Sequence, residues 1–206
     1  MTALGGLRGE RLTLARGEKQ LFRELSFDVS AGDVLSVEGP NGAGKTSLLR
    51  LIAGFLEQSA GSIALRSGSG ETITDAEERA KFVGWLGHSD GIKPQLTPTE
   101  NLKFFARYHH RGDIDSVLDR MSLCRIRDLP VQYLSAGQKK RVAFARLMLV
   151  GRPLWLLDEP FSSLDAEGRA LAAELITRHC GDGGIVVAAT HEPLGVPCRH
   201  LQLGFA

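Results

Sequence analysis

Apolar residues in this chain fall into short runs separated by polar and glycine-rich breaks. Residues 12–15 and 25–29 alternate in the two-residue period of half-buried strands, and residues 61–65 follow as a further strand. These early segments predict an antiparallel edge. Residues 34–37, 82–86 and 201–203 read as further strands. Residues 154–157 (Leu-Trp-Leu-Leu) and 185–189 are wholly apolar, the composition of central parallel strands covered on both faces. Between them the spacing becomes helical. Residues 47–53 form one helix. At Thr97-Pro98-Thr99-Glu100 a capping box opens another, which runs through Leu102, Phe105 and Tyr108. Residues 113–121 are amphipathic, Pro130 breaks the path, and residues 138–150 place Val142, Ala145 and Leu149 on one face. Residues 166–180 form the last helix. The polar, glycine-rich residues 68–75 read as a loop between small strands. The pattern predicts an α/β fold with a mostly parallel central sheet, an N-terminal antiparallel β-subdomain and a helical subdomain over about residues 97–150, all within one domain spanning 1–206.

Composition narrows the partners. The chain has 206 residues, 43% of them hydrophobic, and 25 Lys plus Arg balance 24 Asp plus Glu for a formal charge of +1. That balance gives no electrostatic case for nucleic acid. Lys139, Lys140 and Arg141 read as a solvated basic turn rather than a nucleic-acid patch. No apolar stretch approaches the roughly 20 residues that span a bilayer, and the start lacks the pattern of a secretion signal, so the chain is expected in the cytoplasm. Cys124, Cys180 and Cys198 are far apart and odd in number, which predicts buried free thiols rather than a disulfide framework. His109 and His110 read as a solvated helix end.

The chemistry is concentrated in a few short motifs. Gly39-Pro40-Asn41-Gly42-Ala43-Gly44-Lys45-Thr46-Ser47 lies between a strand and a helix, as a phosphate-binding loop requires. Its backbone N–H groups and helix dipole favour a polyphosphate, Lys45 would reach the β- and γ-phosphates, and the Thr46 hydroxyl would ligate magnesium. Asp158 and Glu159 end the 154–157 strand, and ligands of α/β folds gather at the carboxyl ends of parallel strands. Asp158 is expected to hold magnesium and Glu159 to polarise the water that attacks the γ-phosphate of ATP. His191 follows the 185–189 strand at the same end of the sheet, where it could reach that phosphate.

In this order the motifs resemble the nucleotide-binding subunits of ABC transporters along essentially the whole chain. Leu134-Ser135-Ala136-Gly137-Gln138 resembles the family signature LSGGQ, Ser163-Leu164-Asp165 its D-loop and Thr190-His191 its switch histidine. The resemblance implies an ABC-type P-loop NTPase that hydrolyses ATP with Mg2+. It also implies a nucleotide-sandwich dimer with a second copy of the chain, in which Ser135, Gly137 and Gln138 bind the ATP held by the other subunit's loop. Ala136 stands where the commoner pattern has glycine, which excludes only a backbone needing positive φ there.

Two departures mark this chain. The family usually stacks an aromatic residue on adenine, but Ala15-Arg16-Gly17-Glu18 leaves the flat guanidinium of Arg16 as the group expected to face the base. His88 stands where a glutamine usually senses magnesium and the membrane partner. The phrase Leu86-Gly87-His88-Ser89-Asp90-Gly91-Ile92-Lys93-Pro94 and the run Trp155-Leu156-Leu157-Asp158-Glu159-Pro160-Phe161 resemble the branch of the family that serves cytochrome c maturation. That branch implies an ATPase bound to integral-membrane permease subunits at the cytoplasmic face of the cell inner membrane, serving haem export or release of haem from a chaperone. An ABC ATPase for another cargo, such as a drug or lipid, is the alternative. A soluble factor acting on ribosomes or DNA would carry twin cassettes or long insertions, and a pure nucleotide-binding scaffold would not need Glu159 and His191.

Overall fold

The computed structural model describes residues 3–17, 19–87, 91–109 and 113–204. Two sheets organise it. Strands β1 (Leu4–Arg16), β2 (Lys19–Ser30), β4 (Ala60–Ser67) and β5 (Thr72–Ile73) form an antiparallel sheet in the order β2-β1-β4-β5. Strands β3 (Val34–Glu38), β6 (Val83–Leu86), β7 (Leu154–Asp158), β8 (Ile185–Ala189) and β9 (Arg199–Gln202) form a sheet in the order β6-β7-β8-β3-β9, with every neighbouring pair parallel.

Side-chain alternation along these strands builds two cores. Leu35, Val37, Leu154, Leu156, Ile185, Val187 and Ala189 face the antiparallel sheet and helix α1 (Lys45–Ile52). Val34, Trp155, Leu157, Val186 and Ala188 face the other way, against α5 (Ala136–Val150) and α6 (Ala166–Gly181). Because both faces are covered, β7 and β8 are buried at every position, which is why their sequences, apart from Asp158 at the end of β7, are apolar without alternation.

The remaining helices are α2 (Ala76–Ala80), α3 (Pro98–His109) and α4 (Ile114–Arg120), and α3 and α4 pack on α5. The expected capping box at Thr97 forms: Glu100 N–H donates to Thr97 Oγ1 at 3.1 Å, and Thr97 N–H donates to Glu100 Oε2 at 2.9 Å. α5 starts two residues earlier than its periodicity predicts, because Ser135 and Gln138 form a second capping box at its start. The solvated basic turn is a correction. Lys140 and Arg141 are only 4% and 9% exposed, because α5 is covered by its neighbours around nearly its whole circumference. The cysteines are free but not buried: Cys124 is exposed, and Cys180 and Cys198 are half-buried. The expectation for His109 and His110 rests on side chains outside the described residues.

Candidate active site

Strand register brings the motifs to one level. Val37 and Asp158 both pair with Ala189, from β3 on one side and β7 on the other. The chain beyond each of these positions therefore emerges at the same end of the sheet. Thr190 N–H donates to Val37 O at 3.2 Å and Glu159 N–H to Ala189 O at 2.8 Å, carrying the ladder one step past the strands.

The loop after β3 turns through positive φ at Gly39 (143°), Gly42 (82°) and Gly44 (98°). Gly39 is doubly constrained, since a Cβ there would collide with the backbone carbonyl of Leu203. Gly44 caps α1 without a side-chain hydrogen bond, so the first-turn N–H groups face the cleft as an anion site. Lys45 Nζ donates to the carbonyls of Gly39 (2.7 Å) and Pro40 (3.3 Å) and to His191 Nε2 at 3.0 Å. An ammonium has no lone pair, so in the contact with Lys45 it is Nε2 that accepts. Thr46 Oγ1 lies 3.0 Å from both carboxylate oxygens of buried Asp158.

Glu159 follows β7 in a left-handed conformation, φ 49°, rare for a residue with a side chain. Its neighbours hold it there. Besides its amide bond to Ala189, its carbonyl accepts from Ser162 Oγ at 2.9 Å, and its Oε1 lies 3.5 Å from His191 Nε2. Over-determined strain of this kind fixes where a carboxylate points. A cleft of about 380 Å³ unites these groups, lined by Asn41, Gly42, Gly44, Lys45, Thr46 and Ser47, by Asp158, Glu159 and His191, and at its edge by Arg16, Leu21 and Arg50. Gly39, Pro40 and Ala43 of the same loop are not part of that lining.

Ser135, Gly137 and Gln138 stand outside this lining. Gly137 is pressed against the other end of the machinery: a Cβ there would sit 2.7 Å from Ser163 O. His88 lies outside the described residues. Sequence reasoning missed two supports. Glu38, the last residue of β3, accepts from Ser36 Oγ (2.9 Å), His200 Nδ1 (2.6 Å) and Gln202 Nε2 (2.6 Å), and the His200 bond foremost holds its carboxyl below the usual range. These bonds tie β9 to the strand that feeds the loop. The second is a set of arginine contacts around residues 163–165, where Arg141 Nη2 donates to Asp165 Oδ1 at 2.8 Å. No short motif announces either, since the partners are far apart in sequence.

The family model for ABC transporters matches residues 22–162, which include the phosphate loop, the signature and Glu159. The chain belongs to the ABC transporter family. This ABC subunit is 49% identical to a cytochrome c biogenesis ATP-binding export protein, CcmA, of Rhodopseudomonas palustris, over 97% of this chain and 98% of the relative. The proteins of the same name from Nitrobacter winogradskyi and Pseudomonas savastanoi are 45% and 42% identical, over 97% and 96% of this chain and 98% and 95% of theirs. Among solved structures, a bacterial Atm1-family ABC exporter with ATP bound superimposes with a TM-score of 0.82 at 20% identity, over 99% of this chain and 38% of that one. An ATP-binding cassette in a dimeric post-hydrolysis state, bound to ADP and Pi, gives 0.75 at 24% identity over 90% and 88%. The ABC fold is thus shared, and the subunit is an ATPase. Among its described residues no helix is long and apolar enough to cross a membrane.

Proposed function

We propose that this ATPase energises a membrane complex for c-type cytochrome biogenesis, in haem export or in release of haem from a chaperone. Near-full-length similarity to the cytochrome c biogenesis export proteins supports that assignment. The chain would act at the cytoplasmic face of the inner membrane, bound to integral-membrane permease subunits. The observation that carries the chemistry is the convergence of Lys45, Glu159 and His191 on one cleft.

In this reading the loop and the start of α1 hold the ATP phosphates, with Lys45 supplying positive charge. Thr46 and Asp158 fit a hard cation, since two neighbouring oxygen donors, one of them a buried carboxylate, are what Mg2+ takes from a protein beside phosphates. Bound there, the cation would neutralise phosphate charge. Glu159 orients water for in-line attack on the γ-phosphorus, and the bond to the β–γ bridging oxygen breaks to release ADP and phosphate. His191, within reach of both Lys45 and Glu159, meets the γ-phosphate, and Arg16 faces the base. A second copy closes the site with its own Ser135, Gly137 and Gln138. Their position outside the cleft of their own chain supports that arrangement.

Glu159→Gln keeps the shape of the side chain and loses the charge that orients water, so ATP hydrolysis should fall by at least about a hundredfold with ATP affinity retained. Steady-state phosphate release alongside binding of a fluorescent ATP analogue tests this. Near-normal turnover would remove Glu159 from the mechanism. Co-purification from membranes, with the partner chains identified by mass spectrometry, tests the assignment to cytochrome biogenesis.

A further inference from the structure

Arg169 occupies an awkward place for a cation. It lies four residues after Asp165, the cap of α6, where the helix dipole disfavours positive charge. Its contacts account for it. Nε donates to the backbone carbonyl of Leu164 at 3.2 Å, and Nη1 lies 2.6 Å from Glu192 Oε2. One planar fork therefore spans two separate segments: Ser163-Leu164-Asp165, and the turn that carries His191.

Each segment is held internally by its own hydrogen bonds, so a contact joining the two constrains their relation. In the His191 turn, Thr190 Oγ1 donates to Glu192 O and accepts from Glu192 N–H, both at 3.0 Å, and Thr190 is buried. In the other, Ser162 Oγ holds the carbonyl of Glu159, Ser163 sits at φ 67°, and Asp165 is gripped from the far side by Arg141. Beside the 3.5 Å approach of Glu159 Oε1 to His191 Nε2, the fork is thus a second side-chain link between the turn after Glu159 and the turn bearing His191. The Arg169 and Glu192 side chains are 45% and 42% exposed, so their ion pair adds little to stability. A half-exposed pair that contributes little to folding, yet joins two catalytic turns, suits a positional role.

We propose that Arg169 is a positioning residue for ATP hydrolysis, holding the His191 turn in register with the Ser163-Leu164-Asp165 segment through Leu164 O and Glu192. This rests on the reading that Glu159 and His191 act at the γ-phosphate. Arg169→Ala should lower kcat about tenfold, because small misplacements of catalytic groups cost rate rather than affinity, while the KM for ATP stays within about twofold. Arg169→Lys keeps the charge for Glu192, but an ammonium cannot span both partners, so recovery should be partial. Glu192→Ala should match Arg169→Ala, and the double variant should be no slower than either single one, as expected of two groups acting as a unit.

The test measures kcat, KM, fluorescent ATP-analogue affinity and melting temperature for these variants beside Glu159→Gln. Wild-type kcat in Arg169→Ala, a fully additive double variant, or a loss of affinity and melting temperature parallel to kcat would each overturn the proposal. Active Glu159→Gln protein would instead overturn the reading on which it rests. An inactive Glu159→Gln beside a fully active Arg169→Ala would overturn the positioning role alone.

Discussion

Glu159 and His179 show how much a residue's surroundings add to its identity. Both are ordinary in sequence: an acid at a strand end and a histidine near the end of a helix. The acid is held at positive φ by Ala189 and Ser162, which a sequence motif marks only as a position. The histidine stacks on Trp155 with ring centroids 3.9 Å apart and donates from Nε2 to Pro153 O at 3.1 Å. Burial pushes its pKa from 6.5 down to about 4. Between those values the unfolded chain binds a proton that the folded chain refuses. Stability is therefore full above pH 6.5, falls as pH drops through the window and levels off below pH 4, with a loss on the order of 3 kcal/mol. Urea unfolding at pH 7, 5.5 and 4.5 should show this slope, and His179→Phe should flatten it.

At the scale of elements, helices and buried strands were legible because their signals are local. The α3 start was readable from Thr97, Pro98 and Glu100, and its capping box is formed. Thr97→Ala should cost about 1 kcal/mol in chemical denaturation and leave ATP turnover unchanged, since the helix start lies outside the nucleotide cleft. Strands β1 and β2 were read much too short for an equally physical reason. Their pairing shifts register between Gly9 and Leu12, between Leu12 and Leu14 and between Leu14 and Ala15, and Arg11 and Glu24 take positive φ. Each irregularity turns the side-chain alternation over, so a two-residue period survives only in fragments. The burial of Lys140 and Arg141 was equally hidden, because charge suggests a solvated face while three packed helices and a sheet decide otherwise.

At the scale of the whole molecule, the residues of the candidate active site come from the ends of β3, β7 and β8, while the signature sits at the start of α5, outside the cleft of its own chain. In the proposed function a second copy supplies the complement. With hydrolysis blocked by Glu159→Gln, ATP should shift the protein to a dimer in light scattering coupled to gel filtration. Adding Ser135→Arg should hold it as a monomer, with binding of a fluorescent ATP analogue to single subunits preserved. A Glu159→Gln, Ser135→Arg protein that dimerised as readily would contradict the sandwich.

The sequence by itself determined the pieces whose physics is local: the glycine pattern of the phosphate loop, the lysine and hydroxyl that follow it, the two wholly apolar strands and the acids and histidine after them. These are encoded by short spacings, so they can be read without knowing what they will touch. Tertiary structure decided everything that depends on register between distant segments. It set Val37, Ala189 and Asp158 side by side, pressed Gly39 against Leu203 and Gly137 against Ser163, and gave Glu38 its partners from β9. It also placed Arg169 between the turns that follow β7 and β8. Packing of two cores on one sheet brings such residues together, and no spacing along the chain carries that information.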